Sequence, residues 1–161
     1  MNNLTEKNNK VFISGEIVSE AEFSHEVYGE GFYEMNVLVK RLSGQSDVLP
    51  VTISERLISD KNLCVGKTIN ALGQFRSYNK IEDSKSKLML TIFVKELVDP
   101  SEITEINQIY LVGYICKEPI YRTTPFAREI CDVLLAVNRR FNKSDYIPCI
   151  AWGNNAHIVS Q

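Results

Sequence analysis

The fold is decided by a stretch that the chain contains twice: FISGEI at residues 12–17 and, 98 positions later, YLVGYI at residues 110–115. The match continues without a gap, so that residues 12–55 align with residues 110–153. The identical pairs are Gly15/Gly113, Ile17/Ile115, Glu20/Glu118, Val39/Val137, Arg41/Arg139, Ser46/Ser144, Asp47/Asp145 and Pro50/Pro148. A period of about 100 residues is too long for a solenoid repeat and matches a small domain. We therefore interpret the chain as a duplicated domain, in which each copy serves as a control for the other.

Both copies have the periodicity of β-strands. Residues 11–17 and 109–115 alternate apolar with small or polar side chains, which predicts a half-buried first strand in each copy. The glycine shared at the same place in both predicts a bulge or a sharp bend. Second strands are predicted at residues 32–40 and 130–139. Third strands are predicted at 48–54 and 146–152, each after a segment rich in turn formers.

The first copy continues beyond the repeat. Its pattern predicts a short helix at residues 55–62, a fourth strand at 66–75, a charged, flexible hairpin loop at 80–87 and a fifth strand at 88–97. Five strands with a helix between the third and the fourth predict an all-β, five-stranded Greek-key barrel, the OB-fold. We place this first domain at residues 10–99, after a polar lead at residues 1–9 that we expect to be disordered. A linker is predicted at 99–102.

The second copy, residues 107–161, extends only to the equivalent of Leu63. It therefore holds the first three strands of an OB-fold that is incomplete at its C-terminus. Three strands of a barrel leave strand edges and apolar surface open. We expect either a truncated product or a barrel that the first copy or another chain completes.

Composition excludes several functional classes. The four cysteines lack metal-binding spacing, and the two histidines are isolated, so we expect reduced thiols, no metal and no cofactor. Nucleophile-elbow, zinc-protease, Walker and dinucleotide-binding motifs do not occur, so we expect no enzyme. No apolar run is long enough to span a membrane, which favours a cytoplasmic protein. The net charge is −2, yet residues 107–161 carry 6 Lys and Arg against 4 Asp and Glu. Local charge decides whether a polyanion is attracted.

The third strand distinguishes the copies, because side chains alternate between its two faces. The core faces agree: Leu49, Val51 and Ile53 in the first copy, and Ile147, Cys149 and Ala151 in the second. The other faces differ: Val48, Pro50, Thr52 and Ser54 in the first copy, but Tyr146, Pro148, Ile150 and Trp152 in the second. In the preceding turn, Phe141 replaces Ser43. Three aromatic side chains thus appear together on or beside this second face, which the first copy shows can be small and partly polar.

Flat side chains on an outward barrel face stack on unpaired bases, at about 1–3 kcal/mol per base and regardless of base sequence. Neighbouring cations would neutralise the phosphates, and the candidates are Arg122, Arg139, Arg140 and Lys143. The alternative is that Tyr146 and Trp152 pack against a partner copy or the other domain. The two roles are compatible.

The second copy resembles a known family. The segments that carry the resemblance are IYLVGYI (residues 109–115), Pro119, YRTTP (121–125), LAVNR (135–139) and DYIPCIAWG (145–153). Their order and spacing are similar to those of the bacterial single-stranded DNA-binding protein family. The resemblance implies that Phe141, Tyr146 and Trp152 stack on bases. The first copy looks like a diverged relative through GQFRSY at residues 73–78, which implies Phe75, Arg76 and Tyr78 as further contacts.

The resemblance implies a tandem OB-fold variant that binds single-stranded DNA without sequence specificity, in DNA replication, repair or recombination. The alternative is a protein–protein adaptor of a replication complex that has lost most DNA affinity, and an RNA-binding module is a third option. We expect a homo-oligomer, with a dimer favoured because one chain supplies two barrels. Replication proteins remain candidate partners, although no acidic recruiting tail is seen.

Overall fold

The computed structural model describes residues 8–99 and 107–161. The expected linker at Pro100–Glu102 and the expected disordered lead at Met1–Lys7 lie outside them. The elements in chain order are β1 (Asn9–Ile17), β2 (Glu22–Val27), β3 (Glu30–Lys40), β4 (Ser46–Ser54), α1 (Glu55–Lys61), β5 (Thr68–Glu82), β6 (Lys85–Leu97), β7 (Gln108–Leu111), β8 (Tyr114–Ile115), β9 (Ile120–Thr123), β10 (Glu129–Arg139), β11 (Lys143–Trp152) and α2 (Asn154–Val159). The chain forms two compact units, one built on residues 9–110 and one on residues 111–161.

The first unit is a closed sheet. Its strand order is β2-β3-β4-β6-β5-β1-β7, and β1 also pairs with β3, which closes the barrel. Strands β4 and β6 pair in parallel, with Val51 opposite Ile92. The interior is filled by apolar side chains from these strands: Val11, Ile13, Ile17, Met35, Val37, Val39, Val51, Ile53, Ile69, Ala71, Ile92 and Val94. This is the all-β OB barrel that the sequence predicts.

Helix α1 lies between the third and fourth barrel strands, as predicted. The Ser54 side chain caps its N-terminus by accepting a hydrogen bond from the backbone N–H of Leu57. Asn62, in the left-handed conformation, ends the helix. Leu57 and Ile58 pack against the barrel interior. The cap and the two apolar contacts fix the helix on the barrel.

The prediction of a flexible loop at residues 80–87 is wrong. Strand β5 continues to Glu82, β6 starts at Lys85, and Lys80 pairs with Lys87 across the hairpin. Only Asp83 and Ser84 form the turn, both at positive φ, which suits a tight two-residue hairpin connection. Charged side chains are compatible with a strand when both of its faces are exposed to solvent, so their abundance did not indicate a loop.

The polar N-terminal segment was predicted to be disordered through Asn9, and this prediction is wrong for Asn9 itself. Asn9 is buried and begins β1. Its side-chain amide donates to the carbonyl of Phe75 at 2.7 Å, and its side-chain oxygen accepts from the N–H of Phe75 at 2.8 Å. A polar side chain is stable there because both of its groups are hydrogen-bonded.

The second unit contains a four-stranded sheet in which β10 pairs with β8, β9 and β11. Helix α2 covers one end, and its buried Ala156 packs with Cys131 and Val133. Within residues 107–161 no strand corresponds to β5 or β6. The described residues contain no helix that is both long enough and apolar enough to cross a membrane.

The segment 109–115, predicted as one strand, is divided into two. Strand β7 joins the sheet of the first unit beside β1, and β8 joins the second sheet. A Cβ atom on Gly113 would lie 2.3 Å from the carbonyl oxygen of Ala136, and one on Gly15 would lie 2.4 Å from that of Leu38. The repeated glycine therefore permits a close approach of two backbones, and in the second copy it lies where the chain passes from β7 to β8.

Candidate functional site

The exposed face of β11 carries the aromatic side chains singled out in the sequence. Tyr146 is 44% exposed and Trp152 is 51% exposed, with the exposed Ile150 between them. Ile147, on the other face, is buried. The two faces of this strand are therefore arranged as the alternation predicts. Trp152 follows Tyr146 by six positions, which in a strand is about 20 Å.

The pairing of β10 extends this face across the sheet. Ala136 lies opposite Tyr146, and Ile130 lies opposite Trp152. On the far side of β10, Tyr114 lies opposite Ala136 and Arg122 lies opposite Ile130. Paired residues share a face, so these rows form one surface. We call it the outer face, and its exposed members are Tyr114, Ile120, Arg122, Tyr146, Ile150 and Trp152.

The sequence interpretation missed Tyr114, which is 70% exposed. Its equivalent in the first copy is Glu16. Glu16 pairs with Leu38 in the first copy in the same way as Tyr114 pairs with Ala136 in the second. The same comparison between copies that found Tyr146, applied to the first strand, would have found Tyr114.

Arg122 lies on the outer face and is engaged in an ion pair. Its Nε atom is 2.7 Å from Oδ2 of Asp132. The hydrogen bond and the opposite charge raise the pKa of Arg122, and the same hydrogen bond lowers the pKa of Asp132 below its usual value. The Arg122 side chain is about half exposed, and that of Asp132 is partly buried. A phosphate at Arg122 would therefore share the guanidinium with Asp132.

The structure does not bring Arg139 to the outer face. Arg139 lies opposite Lys143, on the side of the strands that carries Asp145, and its Nε is 3.4 Å from Oδ2 of Asp145. Asp145 is 1% exposed. A buried carboxylate needs a compensating charge, and Arg139 supplies it. Lys143 is exposed at the end of the hairpin on the same side.

The hairpin between β10 and β11 presents Phe141 at its tip. Arg140, Phe141 and Asn142 form the turn, and Phe141 is 91% exposed. Its φ is +65°, in the left-handed region that non-glycine residues rarely occupy. Asn142 follows at +58°. The backbone therefore holds a large aromatic ring in solvent at some conformational cost.

The three candidates of the first copy are divided between two environments. Phe75 packs against the barrel interior. Arg76 and Tyr78 lie on the opposite face of β5, because residues two apart share a face. The structure thus brings together Arg76 and Tyr78, but not Phe75. Burial and then the charge of Glu34 raise the pKa of Tyr78.

Arg76 contacts aromatic residues that the sequence interpretation did not single out. Its guanidinium carbon is 3.9 Å from the ring centroid of Phe93. The Phe93 ring lies 5.5 Å from that of Phe32, and the Phe32 ring lies 5.1 Å from that of His25, centroid to centroid. We call His25, Phe32 and Phe93 the aromatic row. Phe93 is distant in sequence from Phe32 and His25, so no local pattern indicated the aromatic row.

A hydrogen-bonded cluster adjoins Trp152. His157 Nε2 lies 2.6 Å from Oε2 of Glu129 and 3.4 Å from the hydroxyl of Tyr121. The backbone N–H of Gly153 donates to the carbonyl of Glu129 at 2.9 Å. Hydrogen bonds from Tyr121 and then from His157 lower the pKa of Glu129, and burial is the first cause that raises the pKa of Tyr121. The cluster thus links α2, which begins two residues after Trp152, to the first residue of β10.

In the part of the chain that the structure describes, His, Cys, Asp and Glu side chains form no group of three or more that is suited to a metal ion. The candidate site is thus an open protein surface of aromatic, apolar and cationic side chains.

Comparison with known proteins matches residues 106–161 to the single-strand binding protein family. The single-stranded DNA-binding protein 1 of Staphylococcus aureus (strain COL) is 36% identical over 61 residues, which are 34% of this chain and 36% of that protein. The chain therefore spans about a third of the length of the curated relatives that it matches.

Two solved structures are similar over larger parts of the chain. The wild-type single-stranded DNA binding protein from Thermus aquaticus is 22% identical, with a TM-score of 0.68, and the match covers 95% of this chain and 78% of that chain. At this identity the likeness shows the fold alone. The dimeric N-terminal domain of PriB protein from Thermoanaerobacter tencongensis is 42% identical, with a TM-score of 0.47, and covers 56% of this chain and 97% of that chain.

Proposed function

We propose that the chain, which matches the single-strand binding protein family over residues 106–161, belongs to that family and is a non-enzymatic protein that binds single-stranded DNA. The observation that carries the proposal is the outer face, where Tyr146 and Trp152 stand exposed on one strand. We expect it to bind DNA without sequence specificity, because every base offers a ring face for stacking.

The contacts divide into stacking and phosphate neutralisation. Tyr146 and Trp152 supply ring faces along β11, and Phe141 supplies a third at the hairpin tip. Arg140 and Lys143 flank Phe141 in the chain, and Arg122 and Trp152 lie on either side of Ile130. Arg139 has a different role, since its charge compensates the buried Asp145. We therefore propose Arg139 as a residue that stabilises β10 and β11, not as a phosphate contact.

In the first copy we propose that phosphate contacts outweigh stacking. Arg76 and Tyr78 share a face of the β5–β6 hairpin with Lys80 and Lys87. The ring of Phe93 is already covered on one side by Arg76. Phe75 is omitted from the proposed contacts, because it packs into the barrel interior.

We further propose that the protein acts in the cytoplasm as a homo-oligomer, with a dimer favoured, in DNA replication, repair or recombination. A second candidate function is that of a protein–protein adaptor with little DNA affinity. The exposed Ile120 and Ile150, which lie on either side of Asp132, favour it, since exposed apolar side chains suit a protein partner as well as a base.

The test uses the single tryptophan of the chain, Trp152, as a probe. We expect oligo-dT to quench its emission, and binding to weaken with salt by a slope of about −0.7 per phosphate contact on a log–log scale. Electrophoretic mobility shift of the same oligonucleotide measures binding independently, and circular dichroism confirms the fold. Bound DNA with unchanged emission would contradict stacking on Trp152. Absence of binding by both methods would favour the adaptor, and tighter binding of oligo-rU than of oligo-dT would favour RNA.

A further inference from the structure

One row of the outer face has a shape that its neighbours lack. Tyr114 on β8 and Tyr146 on β11 lie on either side of Ala136, each directly opposite it. Both tyrosines are exposed, whereas the residue between them has only a methyl group. The row therefore consists of two aromatic walls and a small floor.

The dimensions of the row fit one nucleobase. Neighbouring strands lie about 4.8 Å apart, so the backbones of Tyr114 and Tyr146 are separated by about 9.6 Å. A base stacked between two rings needs about 7 Å between the ring planes, twice the 3.4 Å stacking interval. Small inclinations of the two side chains over Ala136 would provide this gap.

The position of Tyr114 is set by the backbone next to it. Gly113 brings β8 so close to β10 that any side chain there would collide with the carbonyl oxygen of Ala136. The N–H of Cys116 donates to the carbonyl of Leu134 at 3.2 Å and continues the contact. The contacts of Gly113 and Cys116, which precede and follow Tyr114 in the chain, therefore hold Tyr114 next to Ala136.

The first copy provides an internal comparison. Its equivalent row is Glu16, Leu38 and Val48, in the same register. Leucine fills the floor, and both walls lack aromatic rings. The two copies share the backbone arrangement of the row, so it is the side chains of the second copy that create the opening.

We propose that Tyr114 is a nucleic-acid contact and that Tyr114, Ala136 and Tyr146 form a slot that holds one unpaired base. This inference rests on the proposed binding of single-stranded nucleic acid, and it adds a residue and a mode of binding to it. Both faces of the inserted base are then covered by protein, which an aromatic side chain acting alone does not achieve.

The experiment measures the affinity for fluorescein-labelled oligo-dT by anisotropy, which does not depend on Trp152. We expect Tyr114→Ala to weaken binding by about 5- to 140-fold, the range of one lost stacking contact. Tyr114→Phe keeps the ring and should bind within about twofold of the unchanged protein. Ala136→Leu, which introduces the residue of the first copy, should weaken binding without removing either ring. Tyr28→Ala, at a fully exposed tyrosine in the hairpin turn of the first copy, is the matched control.

The outcomes separate this inference from the proposed function. If the unchanged protein does not bind, the proposed function fails and the slot fails with it. If the unchanged protein binds and Tyr114→Ala binds equally well, only the slot is overturned. A loss with Tyr114→Ala that Tyr114→Phe restores supports it, even if Ala136→Leu does not fold. A folded Ala136→Leu with full affinity overturns insertion between the two rings.

Discussion

The strand pair β3–β4 of the first copy and the pair β10–β11 of the second have the same register, but the copies place their aromatic side chains on different strands. In the second copy, Tyr146 and Trp152 are exposed on β11. In the first, Phe32 and Phe93 lie on β3 and β6, and Arg76 contacts one of the rings. The difference shows that the barrel backbone does not determine where a binding surface forms. What distinguishes the second copy is that its third strand carries exposed aromatic rings, whereas β4 of the first copy carries none.

A second comparison concerns one ion pair that both copies contain. Arg41 and Asp47 form an exposed pair with Nε–Oδ2 and Nη2–Oδ1 distances of 2.7 and 2.6 Å, and the hydrogen bond from Arg41 lowers the pKa of Asp47. The equivalent Arg139 and Asp145 are 3.4 Å apart, and Asp145 is buried. The same two residues are thus a solvent-exposed contact in one copy and a structural requirement in the other.

The largest effect is expected from breaking that pair. Arg139→Ala should lower the free energy of unfolding by about 3–5 kcal/mol, because it leaves the carboxylate of Asp145 buried without its cation. Arg41→Ala, the matched control, should change stability little, because water solvates Asp47. Urea denaturation followed by circular dichroism measures both. Equal losses from the two variants would show that burial of Asp145 is not what distinguishes the copies.

A smaller effect, on binding, is expected on the third strand of each copy. Tyr146→Ala should weaken the binding of oligo-dT by about 1–3 kcal/mol, the value of one stacked base. Val48→Ala removes the equivalent side chain of the first copy and should leave affinity unchanged. Fluorescence anisotropy with labelled oligo-dT compares the two. If Val48→Ala weakens binding as much as Tyr146→Ala, the first copy contributes equally and the asymmetry is refuted.

Most of the sheet followed from the sequence because burial leaves a pattern. The alternation in β11 identified the correct faces, since one face is largely covered and the other is exposed. In β4 it identified the core face correctly, but Thr52 and Ser54 on the other face are also buried. Strands β2 and β9 were not predicted, because all their residues are exposed and a strand without a buried face shows no alternation. The hairpin of β5 and β6 was misjudged for a related reason, as its outer half is exposed on both sides.

The candidate site was predictable only where it is local. Tyr146 and Trp152 belong to one strand, and their shared face followed from their even spacing. The contact of Arg76 with Phe93 joins two strands that pair only in the folded barrel. The burial of Asp145 likewise depends on packing, because the same residue type in the same register is exposed at Asp47.

The smallest effect is expected at the hairpin tip, where stability and binding should change in opposite directions. Phe141→Gly should raise the free energy of unfolding by up to about 1 kcal/mol, because glycine adopts the left-handed conformation without steric cost. It should at the same time weaken oligo-dT binding by removing a ring. Ser43→Gly, at the equivalent position of the first copy, should give no gain, since Ser43 does not have a positive φ. Thermal unfolding and anisotropy measure the two quantities. A loss of stability in Phe141→Gly would contradict backbone strain at this residue.

The placement of β7 has a consequence for dissecting the protein. The repeat in sequence begins within β7, but this strand completes the sheet of the first unit, beside β1. A cut at residue 100, which the sequence repeat suggests, would remove β7 from its place beside β1. The backbone N–H and C=O groups of β1 that face β7 would then be available for intermolecular pairing. A first half that is prepared for study by itself should therefore extend through Leu111, at the expense of the strand that opens the second repeat.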